Sequence, residues 1–438
     1  MNAAHLRPRD VGGAQPTTTV ELFFDLVYVF AVTQLSHLIV DDLSVGGVAT
    51  AIFLLLVVWW AWIYTTWMVN WFDPGSPAVR AVLTGVMLAS LLMAAALPEA
   101  LGDHGVLFAA SYVALQVGRN AAAASLLARE HRLRDVFERL VAWSVLSGAL
   151  WLGGAALDGD QRLLLWIPAL AIDLAAPFAG YWVPGRGRAA TTDWDIEGSH
   201  FAERCQLFII IALGESIVVT GGTAADAGLT TTVVLCLVVA FLETAALWWL
   251  YFGAAGEQSR GAMGASDDPG RLARDAYTYL HLPIVAGIIA TAVGAHLIIA
   301  EPGEHLHGVG LAMVLGGPAL FLLGESLFHW RLSREANAKR LTVAGSLILL
   351  VPLAGHLSAL LLSAIVTTLL AALAVWEFHA RRQAGFGVTA GSPEPFDDPG
   401  GPGAVTGVAA SSEIGPGRSS SGGGTVTPST FIRRSSER

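Results

Sequence analysis

Cysteine and charge are both scarce in this chain of 438 residues. Its two cysteines, Cys205 and Cys236, fall inside apolar stretches, which excludes a disulfide framework and a cysteine metal site and leaves small core residues. Charged residues make up only 14% against 54% hydrophobic, with a mean hydropathy of +0.58, which excludes an ordinary soluble composition. No basic patch points to nucleic acid, and the net charge of -10 comes largely from acidic outer loops and the tail. GxxxxGK[ST], HExxH and GxSxG are absent, so an ATP-driven pump and the familiar hydrolases have no support. The polar first 19 residues lack a short apolar core with a cleavage site, so no removable signal peptide is expected.

What the chain has instead is about twelve apolar segments of helical length, too long for barrel strands and without their alternation. They lie near 20–40, 48–69, 79–97, 105–127, 138–157, 162–183, 201–221, 229–253, 277–299, 306–330, 340–355 and 357–379. The last pair also reads as one helix broken around Pro352, Gly355 and His356. An all-α, polytopic transmembrane bundle is the fold expected. All of the 25 cations except Arg119 and Arg162 fall on one side of this layout, while Asp41, Asp42, Glu99, Asp103, Asp158, Asp160, Asp226, Glu301 and Glu304 fall on the other. Lys and Arg accumulate in cytoplasmic loops, so both termini are expected there, in a multi-pass protein of the inner membrane.

Weak internal correspondences divide the chain into two six-helix repeats, 20–183 and 201–380. A cytoplasmic tail (1–19), a linker (184–200) and a Gly/Ser/Pro-rich disordered tail (384–438) flank them. Glu21 aligns with Glu203, the Trp67 stretch with Trp248, Arg139 with Arg340, and Trp182 with Trp376. Six spans per half make the repeats parallel, and halves of that kind enclose a central site. Arg119 and Glu325 then become symmetry mates of opposite charge that could pair across the seam. The alternative is that Arg119 reaches the headgroups and Glu325 pairs with Arg331 or His329. The tetrapeptide LGES, at 213–216 and 323–326, falls on oppositely directed helices and reads as coincidence.

Carboxylates inside apolar helices need a partner or a purpose. Glu21 and Asp25 stand four residues apart on one face of the first span. Glu21, Asp25, Glu203, His200, Arg204, His281, Arg119 and Glu325 belong to the cytoplasmic half. Asp173 and Glu243 fall near the middle, and Gln34, His37, Glu215 and His296 lie towards the outside. Asp25, Glu215 and Glu243, with Glu21 and Glu203, are the candidate solute or ion sites; His200, Arg204, His281 and Asp173 are secondary. Duller readings exist: Glu21 and Glu203 complement helix dipoles, His200 and Arg204 meet lipid phosphate or Glu203, and the Trp59–Trp71 rings form an aromatic belt.

The stretches ELFFDLVYVFAVTQLSHLI from Glu21, HFAERCQLFIIIALGESIVVTG from His200 and YLHLPIVAGIIATAVG from Tyr279 resemble the bacterial low temperature requirement protein A family over roughly residues 15 to 380. The resemblance implies an integral inner-membrane protein without a well-defined activity. Phe23, Asp25, Val27 and Ala31 are also faintly similar to the first helix of lysosomal-type potassium channels, although the serine of their Phe-Ser-Asp motif is Phe24 here. A secondary transporter of a small solute or ion is therefore the expected function, with membrane lipid as the surrounding partner and no cofactor or metal. The alternatives are a cation channel lined by the first helix of each repeat, or an intramembrane enzyme with His200, Glu203 and His281 around a metal.

Overall fold

The computed structural model describes residues 5–8, 16–129, 131–191, 194, 196–264 and 266–389, so all of the tail expected at 384–438 except its first six residues, which continue the last helix, lies outside the described residues. Regular structure among them is helical, with only two isolated bridges, Leu6 to Phe72 and Val183 to Gly187. The helices are α1 (Thr19–Asp41), α2 (Val45–Trp71), α3 (Pro77–Ala96), α4 (Gly105–Ser125), α5 (Arg132–Ala155), α6 (Leu163–Ala175), α7 (Gly198–Ala227) and α8 (Thr231–Gly264). A short α9 (Pro269–Leu272) runs through a π-helical turn (Ala273–Tyr279) into α10 (His281–Ala300). Then come α11 (Gly308–Ser333), α12 (Ala338–Leu349), a single turn α13 (Val351–Ala354) and α14 (Ala359–Thr389). Met1–Gly385 forms one compact unit.

Nine of the described helices are long and apolar enough to cross a membrane. Three expected segments fall short of that measure, each for a local reason. α4 has 21 residues but carries Ser111, Gln116, Arg119 and Asn120. α6 stops after 13 residues, two positions before Pro177. α12 is cut by the turn around Pro352, which confirms a break there and separates α14 as a helix of its own.

Helix ends collect in two groups. At the first, the segment before α1 lies against the end of α2 through Arg7 N–H and Trp71 C=O (2.9 Å), and Phe137 near the start of α5 packs edge-on against Trp71. The start of α7 joins there through Asn70, and Tyr277 in the π-turn meets Phe201 and Phe328. At the second, Phe53 and Phe108 meet Trp151, and Thr223 of α7 bonds to His296 of α10 (2.7 Å).

α1 begins with a capping box: Thr18 and Glu21 exchange hydrogen bonds that satisfy the first free N–H groups. Its buried face runs through Glu21, Phe24, Asp25, Tyr28, Val32 and Leu35, while Leu22, Phe23, Leu26 and Phe30 are exposed. The polar groups thus look inward and the apolar face looks out, as expected of a helix in lipid. α2 is buried around most of its circumference from Val57 to Trp71. Trp59, Trp60 and Trp62 are each at most 1% exposed, which corrects the aromatic-belt reading: the run is core packing at the centre of the bundle. Its indoles find protein partners, Trp59 at Thr278 C=O (2.7 Å) and Trp67 at the Thr278 hydroxyl (3.1 Å).

α10 and α11 lie close because glycine faces backbone. A Cβ on Gly287 would fall 2.5 Å from Phe321 N, and one on Gly317 would fall 2.6 Å from Thr291 N. Small residues let helices approach in this way without a hydrophobic driving force between them.

Candidate functional site

The opening carboxylates are both engaged by α7. Arg204 binds Asp25 in a bidentate fork, Nη1 to Oδ2 at 2.6 Å and Nη2 to Oδ1 at 2.7 Å, and neither side chain is more than 1% exposed. Trp62 of α2 donates its indole N–H to Asp25 Oδ1 at 2.9 Å, and the guanidinium lies near the Phe24 and Trp62 rings. One turn earlier, His200 Nε2 meets Glu21 Oε1 at 2.7 Å, and Arg7 donates to Glu21 Oε2 at 2.8 Å.

Asn70 fixes the histidine. Its Oδ1 accepts from Glu197 N at 2.8 Å, so its amide N–H group faces His200 Nδ1 at 3.2 Å and donates to it. The hydrogen then resides on Nε2, pointing at Glu21. His200 and Arg204 are wholly buried, so the lipid-phosphate reading of this pair gives way to a protein-internal network. Both rungs join residues 179 apart, and a four-residue step on α1 matches a four-residue step on α7. The two helices therefore run in the same direction.

The expected pair of Arg119 with Glu325 is not formed. Glu325 is met on its own side by Arg340 of α12, whose guanidinium also holds Glu377 of α14 through Nε (2.8 Å) and Nη2 (2.9 Å) and caps Leu250 C=O (2.9 Å). Asn337 adds a bond to Glu377 at 2.9 Å, and His329 stands 3.4 Å from Glu325. Glu325 Oε1 has no hydrogen-bond partner among the described residues. Arg119 instead lies among neutral groups: Gln116, Asn120, the Thr65 hydroxyl at 3.2 Å, Ala61 C=O at 3.4 Å, and the Tyr64 ring at 5.4 Å. Gln116 relays to Tyr112 (3.0 Å), and Tyr112 to Asp173 (2.9 Å), which also accepts from Trp151 (3.2 Å). Asp173 and Arg119 thus belong to one chain of bonds, through neutral intermediates.

The remaining candidates are separate. Glu215 is buried, with Oε1 unpartnered and Thr33 and His37 of α1 beside it. Glu243 on α8 accepts from the Ser363 hydroxyl at 3.3 Å, with the Thr367 hydroxyl beside it. His281 accepts or donates to Tyr251 at 2.9 Å and stacks on Tyr277, while Glu203 is half-buried and faces Thr17 N at 3.5 Å. His200, Glu203 and His281 therefore have separate partners, and no group of three metal-ligating side chains occurs among the described residues.

Sequence reasoning missed Trp62, Asn70, Arg7 and Glu377, and it counted Arg139, Arg204 and Arg340 as loop cations although all three are buried. Asn70 and Glu377 carried a usable signal, a polar group near the end of an apolar stretch.

The family model for the bacterial low temperature requirement A protein matches residues 16–375. An uncharacterized protein of Rhizobium meliloti (strain 1021), RA0937, is 37% identical over 373 residues, covering 83% of this chain and 90% of its own length. No solved structure matches. The chain belongs to the bacterial low temperature requirement A protein family.

Proposed function

We propose that this protein is a secondary transporter of a small solute or ion, with twelve spans in two parallel six-helix repeats and both termini on the cytoplasmic side of the inner membrane. The observation that carries the reading is the sealed Asp25–Arg204 fork between α1 and α7, the first helices of the two halves. A static core gains little from such a pair, because burying two charges costs about as much as their attraction returns. A carrier uses it: a proton on Asp25, or an anion competing for Arg204, loosens the seam between the halves, and its release closes it again. Parallel α1 and α7 suit halves related by an axis along the membrane normal. Glu215 and Glu243, buried without a cation bonded to them, supply further solute or proton positions along the bundle. An open cation channel fits less well, because Arg204 stands in the α1–α7 seam as an electrostatic barrier.

Reconstitution into liposomes tests the proposal. Slow uptake driven by a pH gradient, reduced in Asp25→Asn, is expected. Large voltage-driven currents would replace the carrier with a channel. Absence of both across a broad solute panel would sink transport altogether.

A further inference from the structure

Glu243 lies near the middle of α8 and is 3% exposed, yet among the described residues it forms no ion pair. Ser363 Oγ of α14 is its hydrogen-bond donor. Thr367 is one turn further along the same face of α14, 7% exposed, and its hydroxyl lies beside the Glu243 carboxyl without completing a hydrogen bond of ordinary geometry among the described residues. Cations and histidines on the helices around α8 have other positions. Arg204 on α7 holds Asp25, Arg340 on α12 holds Glu325 and Glu377, His281 on α10 bonds to Tyr251, and His329 on α11 stands beside Glu325.

An ionised carboxylate in this position would have two hydroxyls at most in place of its hydration shell, which costs several kcal/mol. Something positive must therefore accompany it. One carboxyl and two hydroxyls are too few oxygens for a dehydrated metal cation, whereas a proton needs a single oxygen. We propose that Glu243, Ser363 and Thr367 form an intramembrane proton-binding site. The proton forms an O–H bond on one carboxyl oxygen, Thr367 Oγ1 stands open to accept from it, and Ser363 donates to the other oxygen. A cleft of about 450 Å³ between α8 and α14, lined by Leu242, Ala246, Trp249, Thr367, Ala371 and Phe378, opens next to the site. An apolar reagent would approach that way.

The inference deepens the role given to Glu243 above but is read without flux, so the two fail separately. The full chain is incubated with dicyclohexylcarbodiimide, which modifies protonated carboxyls in apolar surroundings, and its peptides are mapped by mass spectrometry. Labelling of Glu243 is expected, falling as pH rises, unchanged by Na⁺ or K⁺, and lost in Glu243→Gln. Protection by Na⁺ would overturn the proposal in favour of a metal-cation site. Infrared spectroscopy supplies a readout independent of reagent access: a protonated-carboxyl C=O band present at neutral pH and lost in Glu243→Gln is expected. Absence of that band from the native protein would overturn the proposal as well.

Discussion

Two buried ionic clusters in this molecule use the same chemistry over very different distances along the chain. Glu21, Asp25, His200, Arg204 and Arg7 join α1 to α7 across 179 residues, whereas Glu325, Arg340 and Glu377 join helices only 15 and 37 residues apart. The first cluster balances two guanidinium groups against two carboxylates. The second joins Arg340 to both Glu325 and Glu377, with His329 beside Glu325. The long-range cluster governs how the early and late helices meet; the short-range one is a staple within the last four helices. Function that requires the halves to move should depend on the first and tolerate repair of the second.

The largest effect is expected where removal leaves the most unpaired charge. Arg340→Ala would remove the guanidinium that Glu325 and Glu377 share in a buried site, and breaking a buried pair costs about 3–5 kcal/mol. Loss of monodisperse protein on size exclusion is the expected outcome. A stable, well-folded Arg340→Ala would break the view of this cluster as a staple.

Asp25→Asn comes next, because the amide keeps the shape and one acceptor oxygen while stranding Arg204. A loss of roughly 3 kcal/mol is expected in thermal or denaturant unfolding. The double variant D25L/R204M sharpens the comparison. Removing both charges together should restore stability to within about 1 kcal/mol of the native protein, since apolar replacements of buried pairs are often neutral or better. Uptake should stay reduced. Restored stability together with normal uptake would reduce the α1–α7 fork to packing.

The sequence made half of each cluster legible. Glu21 and Asp25 stood out because a charge in an apolar helix needs an explanation. His200 and Arg204 were secondary candidates, but their pairing with Glu21 and Asp25 was not read, because pairing across 179 residues leaves no local pattern. Arg340 and Arg204 sat where a span meets a loop, so they counted as topology charges, although the fold draws them wholly inside. The tryptophans of α2 misled for a related reason: rings near a helix end suit a membrane interface, but α2 is surrounded by other helices and buries nearly every face. The short α6 and the broken α12 follow from Pro177 and Pro352; the break at Pro352 was legible in advance, the early end of α6 was not.

The smallest effect separates the clusters by charge balance. In the second, Glu377→Gln leaves Glu325 with Arg340 and keeps an amide oxygen for the Arg340 or Asn337 donors. The cost should stay near 1 kcal/mol, that of weakening a hydrogen bond. In the first, Glu21→Gln removes a carboxylate that was needed, so that Arg7 and Arg204 share Asp25 alone, and the His200 bond loses its charged acceptor. Bonds to charged groups contribute about 1.5–3 kcal/mol, so the same substitution should cost about 2 kcal/mol here. Paired unfolding measurements on the two variants decide the point. Equal costs would mean that the two clusters do not differ in how much they depend on a single carboxylate charge.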